Sequence, residues 1–316
     1  MPELESKKPK KLKKPKKEQK KEQKERADYD GLWKDAIERF LPQLLERVLP
    51  DLYADVDFSV KPEFLENELR DIAQSDNNPA LYVDELIRLT LKNGGDAWIL
   101  LHIEVQGPGG DAISGRMFNY MTLIYAHHHK LPVALAILTS RRPSEVIGEY
   151  SVENHYGTKV SYTYNCFEVY AQDDEKMLQS NNPFDLIFYA VKNTSKNSQK
   201  KKYALLLNLA KILASKGWSE ADRRDLFSFI VRAVNLTDTE LQQKFVTEIK
   251  GGEDNMAELT FVEKYFRDEG IAEGEQRGRN EEKRSIYERL IADGMSAQKA
   301  SMMTGWNGNN AAYGLQ

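Results

Sequence analysis

Two short stretches hold the residue types that can do chemistry. In "AWILLHIEVQG", residues 97 to 107, Trp98, Leu100, His102, Glu104 and Gln106 fall on one face of a strand, and Ile99, Leu101, Ile103 and Val105 on the other. One face is pure core, whereas the other turns polar toward its C-terminal end, as a strand does when its tip opens into a cleft. Upstream, "YVDELIRL" sets Tyr82, Asp84, Leu86 and Arg88 on a common face. If the two stretches pair as a hairpin, Asp84 and Glu104 converge on one side of a sheet. Carboxylates so placed repel at neutral pH unless a positive charge sits between them. A hard divalent cation, Mg²⁺ with Mn²⁺ as a substitute, suits carboxylate and carbonyl oxygens, and it can polarise a phosphoryl group. His102, on the face of Glu104, reads equally as a partner that orients a ligand or as a packed core residue.

The elements that must carry these groups follow from hydrophobic spacing. "DGLWKDAIERFLPQLLERVLPDL" places Trp33, Ile37, Phe40, Leu41, Leu44, Leu45 and Val48 at helical spacing, with Asp30 as a cap and Pro42 as a kink or restart. "DFSVKPEFLENEL" reads as a strand that turns helical at its end. "ALYVDELIRLTL" is a better strand, and "NGGD" is a hairpin signal leading into the Glu104 stretch. "SGRMFNYMTLIYAHHHK" is a helix with Met117, Tyr120, Met121, Ile124 and His128 on one stripe and Ser114 as its cap. "LPVALAILTS" is a continuous apolar run suited to a strand buried on both faces. Helix, three strands, helix, strand is the order of a mixed α/β sheet with helices packed on it.

Beyond Arg141 the pattern changes. "TKVSYTYNCFEVY" alternates enough for one or two edge strands. Then "NNPFDLIFYAV", "KKYALLLNLAKILASKGW", "SEADRRDLFSFIVRAV" and "DTELQQKFVTEI" read as successive helices, the third with a capping-box-like start at Ser219 and Asp222. Gly270, Gly274 and Gly278 lie four apart, and "SIYERLIADGMSAQKASMMTGW" reads as helix, glycine turn and helix. That hairpin is either a helix-turn-helix or a dimerisation surface. Lys299 is the single cation of its second helix, poor for reading DNA.

With 316 residues and 41% hydrophobic content the chain can bury a proper core in roughly two domains. No apolar run reaches the roughly 18 residues of a membrane span, and the N-terminal region lacks the apolar stretch of a secretory signal, so a cytoplasmic location, nucleoid-associated at most, is expected. The single cysteine, Cys166, excludes an internal disulfide and a zinc finger. Residues 1–26 hold twelve Lys/Arg against five Glu, a charge of +7 that leaves −11 on the rest of a chain whose net is −4. Such a tail, nearly free of apolar residues, is expected to be disordered. It reads as a solubilising arm, a targeting signal or a polyanion grip that binds by counterion release.

Taken together, "YVDELIRL" with Asp84 and "LHIEVQG" with Glu104 and Gln106 resemble the active-site signature of the PD-(D/E)xK nuclease superfamily, in a variant whose final Lys is Gln. More narrowly, "DGLWKDAIERFLPQLLERVLPDLYADVDF", "EFLENEL", "GRMFNYMTLIY" and "PVALAIL" occur in the order of the Rpn-type recombination-promoting nucleases, a group also labelled transposase-like. The likeness spans roughly residues 29 to 280, and its core order, αβββαβ, is the one inferred from spacing. It implies an α/β restriction-endonuclease-like core with a mixed sheet over 29–175, after a Lys-rich tail over 1–28. A helical region over 176–265 and a glycine-spaced helical tail over 266–316 follow.

The implied activity is that of a Mg²⁺-dependent DNA endonuclease. Asp84 and Glu104 are its metal ligands, the Val105 carbonyl a third, and Gln106 stands where the family has lysine. An amide there can orient water but supplies no charge. Arg116 on the next helix is the candidate replacement, and Arg88, Arg116, Lys130, Arg141 and Arg142 are candidates for a groove holding the strand. Asp35 and Glu38, on the first helix, are candidates to approach the metal, as the superfamily sometimes places an acid there. The expected partners are DNA and a second copy of the chain, with no organic cofactor and no membrane. The rival is a non-catalytic nucleic-acid-binding or protein-interaction module on the same fold; an RNA-directed nuclease would use the same site. If the tail is a polyanion grip, deleting residues 1–26 flattens the slope of log affinity against log salt for nucleic acid by roughly 0.9 per lost phosphate contact. An unchanged slope in a titration series would remove that role.

Overall fold

Helix α1 runs from Lys16 to Val48, and its buried apolar side chains help to cover one face of the sheet. The structure, a computed structural model, describes residues 16–65, 83–104, 113–139, 147–194, 198–251 and 260–306, without the side chains of 16–30, 83, 84, 100–104, 250, 251, 260, 263, 269 and 271–277. The helix starts well ahead of the expected cap at Asp30. Lys, Glu and Gln propagate a helix nearly as well as apolar residues do, so Asp30 and Gly31 lie inside it. Its backbone breaks at Phe40 (φ −124°, ψ 28°), just before Pro42, whose ring crowds the carbonyl one turn back. Leu32, Trp33, Ala36, Ile37, Phe40, Leu41, Leu44 and Leu45 are buried, as the spacing predicts. A short helix α2, Pro50–Asp55, follows.

The main sheet has the order β1 (Glu63–Phe64), β2 (Val83–Thr90), β3 (Asp96–Glu104), β4 (Val133–Leu138), β7 (Asn165–Glu168). The pairs β1/β2 and β2/β3 are antiparallel; β3/β4 and β4/β7 are parallel. The sheet is therefore mixed, and the protein is an α/β protein. The hairpin between β2 and β3 turns at Asn93 and Gly94. Asn93 Oδ1 accepts from the Gly95 amide (2.9 Å), and Gly94 takes φ +80°, which a side chain would resist.

Helix α3, Ile113–His128, connects β3 to β4 and packs on one sheet face through Ile113, Met117, Tyr120 and Ile124 against Leu86, Trp98, Ala134, Ala136 and Leu138. Ser114 lies buried in its first turn rather than capping it. The His128 ring sits 4.0 Å from that of Trp98 near the start of β3, so α3 runs back along β3 and begins near the Glu104 end. β5 (Glu149–Glu153) and β6 (Lys159–Thr163) form a separate two-stranded ribbon. After β7 come α4 (Asp174–Gln179), α5 (Pro183–Thr194) and α6 (Gln199–Ser215). The three-residue Asx cap of α4 is Asp173, which accepts from the Lys176 amide at 2.9 Å.

α1 and α5 cover the other face. Trp33, fully buried, lies 6.4 Å from Phe188 ring to ring, and Phe188 lies 4.8 Å from Phe167 of β7. Arg47 donates to Asp185 (2.7 Å) and to Gln172 (2.9 Å), and Asn182 donates to the Gln43 carbonyl (2.8 Å), clasping the end of α1. The same face receives Glu85, which is 1% exposed and pairs with Lys34 of α1 at 3.0 Å.

The chain divides into two compact units: residues up to 217 with 228–245, and 218–227 with 246–316. α5 and α6 thus belong to the unit of the sheet. α7 (Glu220–Val234) and α8 (Thr239–Gly251) each contribute to both units. Ser219 caps α7 by accepting from the Asp222 amide (3.1 Å), the predicted start. In the second unit Phe227 packs edge-on against Phe261 and Tyr265 of α9, Thr260–Ala292, and Lys264 pairs with Glu220 at 2.5 Å. The glycine-spaced segment is part of this one long helix. A turn at Gly294 (φ +86°) leads to α10, Ala297–Thr304, capped by Ser296. This is the predicted helix, turn, helix, with Met302 and Met303 exposed.

Replacing Lys34 by Met removes the ammonium paired with the buried Glu85 carboxylate and is expected to cost about 3 kcal/mol in urea unfolding. Adding Glu85→Leu in the same chain should recover most of that loss, because removing a buried pair together is often near neutral.

Candidate functional site

The β2–β3 ladder sets the geometry of the site. Asp84 pairs across the ladder with His102, and Glu104 lies two residues further along β3. Side chains alternate along each strand and opposed residues share a face, so positions 84, 102 and 104 fall on one face, at the end where β3 stops. Diagonal neighbours in such a ladder lie roughly 7–8 Å apart, a separation that two carboxylate arms can close on one cation. This is the face covered by α3, since Leu86 and Trp98 on the same strand faces belong to its cluster. Glu104 also pairs with Leu138 of β4, a member of that cluster.

Arg116 stands in the first turns of α3 and is 8% exposed. The structure brings it to the end of the sheet that bears positions 84, 102 and 104, where the amino end of a helix also contributes partial positive charge. By residue type, two carboxylates and backbone carbonyls at this end would fit a hard divalent cation better than a soft metal. Val105, Gln106, Arg141 and Arg142 lie outside the described residues. Among the described residues, no group of three or more His, Cys, Asp or Glu is placed to hold a metal ion.

Other candidates are kept apart from this end. Lys130 hydrogen-bonds to Asp96 at the start of β3, and Arg88 reaches Glu63 (3.4 Å) and Asp96 (3.6 Å) in the same region. Asp96 and Glu104 are eight residues apart on one strand, roughly 26 Å. Lys130 and Arg88 therefore do not share a groove with Glu104. Their charge is spent locally: the Lys130 hydrogen bond, then that of Trp98, holds the Asp96 carboxyl below the usual carboxylate range. Glu38 is exposed on α1, which covers the opposite face, and Asp35 pairs with Arg232 at 2.8 Å, so neither approaches position 84. His127 and His128 end α3 at the Asp96 side, as a helix carboxyl end favours.

Two features escaped the sequence reading. Glu85, the immediate neighbour of Asp84, is the buried partner of Lys34. The signal was the alternation itself: if position 84 serves one covered face, position 85 must enter the other. A tyrosine pair, Tyr162 stacked on Tyr164, also lies with Cys166 in or against the α3 cluster. Burial and then the neighbouring Tyr164 push the Tyr162 hydroxyl up to about 12. Burial and then the Glu168 charge push the Cys166 thiol up to about 11. Neither supplies a nucleophile or a general base at neutral pH.

Compared with protein-family models, curated proteins and solved structures, the chain matches none. Among the described residues no helix is long and apolar enough to cross a membrane.

At pH 8 the native Cys166 thiol should react with a disulfide reagent such as DTNB roughly 10²-fold more slowly than the same thiol in guanidinium, where an ordinary cysteine value returns. Equal rates would show that the thiol is not held protonated.

Proposed function

We propose that the protein is a Mg²⁺-dependent endonuclease that hydrolyses DNA phosphodiester bonds, with the PD-(D/E)xK site at the ends of β2 and β3. The observation that carries this reading is the register Asp84 opposite His102, which sets Asp84 and Glu104 on one face as diagonal neighbours. Asp84, Glu104 and the Val105 carbonyl would hold the ion. When bound, Mg²⁺ supplies Lewis-acid polarisation of the phosphoryl group and several kcal/mol of charge stabilisation.

The protein's own groups have narrower tasks. Hydrolysis forms a phosphorus–oxygen bond from water and breaks the one to the leaving alkoxide, while a water proton must depart. Gln106 can orient that water by hydrogen bonds but cannot take its proton, which passes to solvent or to a phosphate oxygen. Arg116, buried at the start of α3, offers the positive charge that lysine gives elsewhere in the superfamily. His102, whose backbone lies across the ladder from Asp84, would orient it. The body's charge of −11 disfavours general attraction of DNA, so grip falls to the basic tail and to Arg141 and Arg142. A setting in recombination or a mobile element comes from the resemblance alone.

Gln106 favours a second reading, a nucleic-acid-binding or interaction module that has kept the fold and lost cutting. Plasmid nicking in Mg²⁺ or Mn²⁺ separates the two. Asp84→Ala should lower the rate at least about 10²-fold with an unchanged melting curve, and Arg116→Ala should lower it by roughly 10- to 10²-fold. Equal nicking by wild type and Asp84→Ala, or none by either, favours the module; Arg116→Ala at the wild-type rate removes that arginine from the site.

A further inference from the structure

The β5–β6 ribbon has a root, a stem and a tip that differ in character. At its root Tyr150 stacks on Phe118 of α3 (4.6 Å between ring centres, 14° between planes), and Tyr162, its cross-strand partner, lies 6.0 Å from the same ring. A side chain at Gly115 would meet the Tyr150 ring at 3.8 Å, so the ribbon sits on the first turns of α3, flanking Arg116. Beyond the root the stem leaves the body. Val152, opposite Val160 and on the same ribbon face as Tyr150, is already 50% exposed. At the tip, Tyr156 is 96% exposed.

This exposure is held in place by the backbone. Asn154 Oδ1 accepts from the amides of Tyr156 (2.9 Å) and Thr158 (3.2 Å), the Asn154 amide donates to the Thr158 carbonyl (3.0 Å), and Gly157 takes φ +89°. The turn therefore keeps an aromatic ring in water, although burial would favour it. Its neighbours in the turn, Asn154, His155 and Thr158, are polar, and the pair Glu153 opposite Lys159 cancels in charge.

We propose that the ribbon is a nucleic-acid-binding finger whose Tyr156 ring stacks on an unpaired base. This rests on the nuclease reading and names the substrate feature that the site would take. Stacking tolerates any base, and the positive grip on the backbone that accompanies it falls to the basic tail of residues 1–26, since the body carries −11. The stem's five residues span roughly 16 Å, enough to lift the contact clear of that charge while its root stays beside the α3 end of the site. A phosphate-gripping patch would need cations that the ribbon lacks, since Lys159 is balanced by Glu153.

The test is fluorescence anisotropy in EDTA, where cutting cannot occur, with labelled single-stranded DNA, single-stranded RNA and duplex DNA. Tyr156→Ala should weaken single-strand binding roughly 5- to 150-fold, Tyr156→Phe should stay within a few-fold of wild type, and duplex binding should change least. The strand that responds identifies the sugar. Unchanged single-strand affinity in Tyr156→Ala, a loss in Tyr156→Phe as large as in Tyr156→Ala, or an equal loss on duplex overturns the proposal. So does dissociation of a dimer by Tyr156→Ala in sedimentation, which would make a second copy the partner. A wild-type protein that binds through Tyr156 and never nicks defeats the nuclease reading alone; one that nicks while Tyr156→Ala binds normally defeats the finger alone.

Discussion

A strand covered on both faces has no solvent side, and from Glu85 to Ile87 β2 is such a strand. Its neighbouring acids, Asp84 and Glu85, must therefore serve opposite faces. Glu85 enters the layer under α1 and is met there by Lys34, which leaves position 84 to the α3 side. A slip of one residue would exchange the two, burying Leu86 and Arg88 in the wrong layers. The Lys34–Glu85 pair and the apolar residues that alternate with it thus hold the register on which the candidate site depends.

The rest of the first unit stabilises that register from both sides. α1, bent before Pro42 and clasped at its end by Asp185 and Asn182, lays a continuous apolar stripe on one face. α3 lays a second stripe on the other and returns the chain to the parallel strand β4. Because α3 runs back along β3, its opening turns meet the end of that strand, and with them come Arg116 and the root of the β5–β6 ribbon. The candidate site and the ribbon share this support: positions 84 and 104 lie on one face at one end of the sheet, and the ribbon presents an exposed ring at its tip.

Much of the framework was legible in residue spacing. The buried stripe of α1, the strand and hairpin before Glu104, the stripe of α3, the apolar strand β4 and the helices from Pro183 onward follow their predicted patterns. Periodicity succeeds there because each element buries one face or both. It failed where no such signal exists. The start of α1 in a Lys-rich segment rests on helix propensity, not on amphipathicity, and β5 pairs with β6 outside the main sheet. The groove expected from Lys130 and Arg88 failed for another reason: both lie near α3's carboxyl end or opposite the start of β3, where Asp96 meets them.

By itself the sequence determined which residues could do chemistry and which faces had to be buried, because residue type and a period of two or near 3.6 are local properties. Only the tertiary structure decided which of those residues meet. Register set Asp84 against His102, the direction of α3 brought Arg116 to that end and kept Lys130 away, and the layer under α1 claimed Glu85. Those outcomes depend on contacts between residues far apart in the chain, whose energies no local pattern encodes.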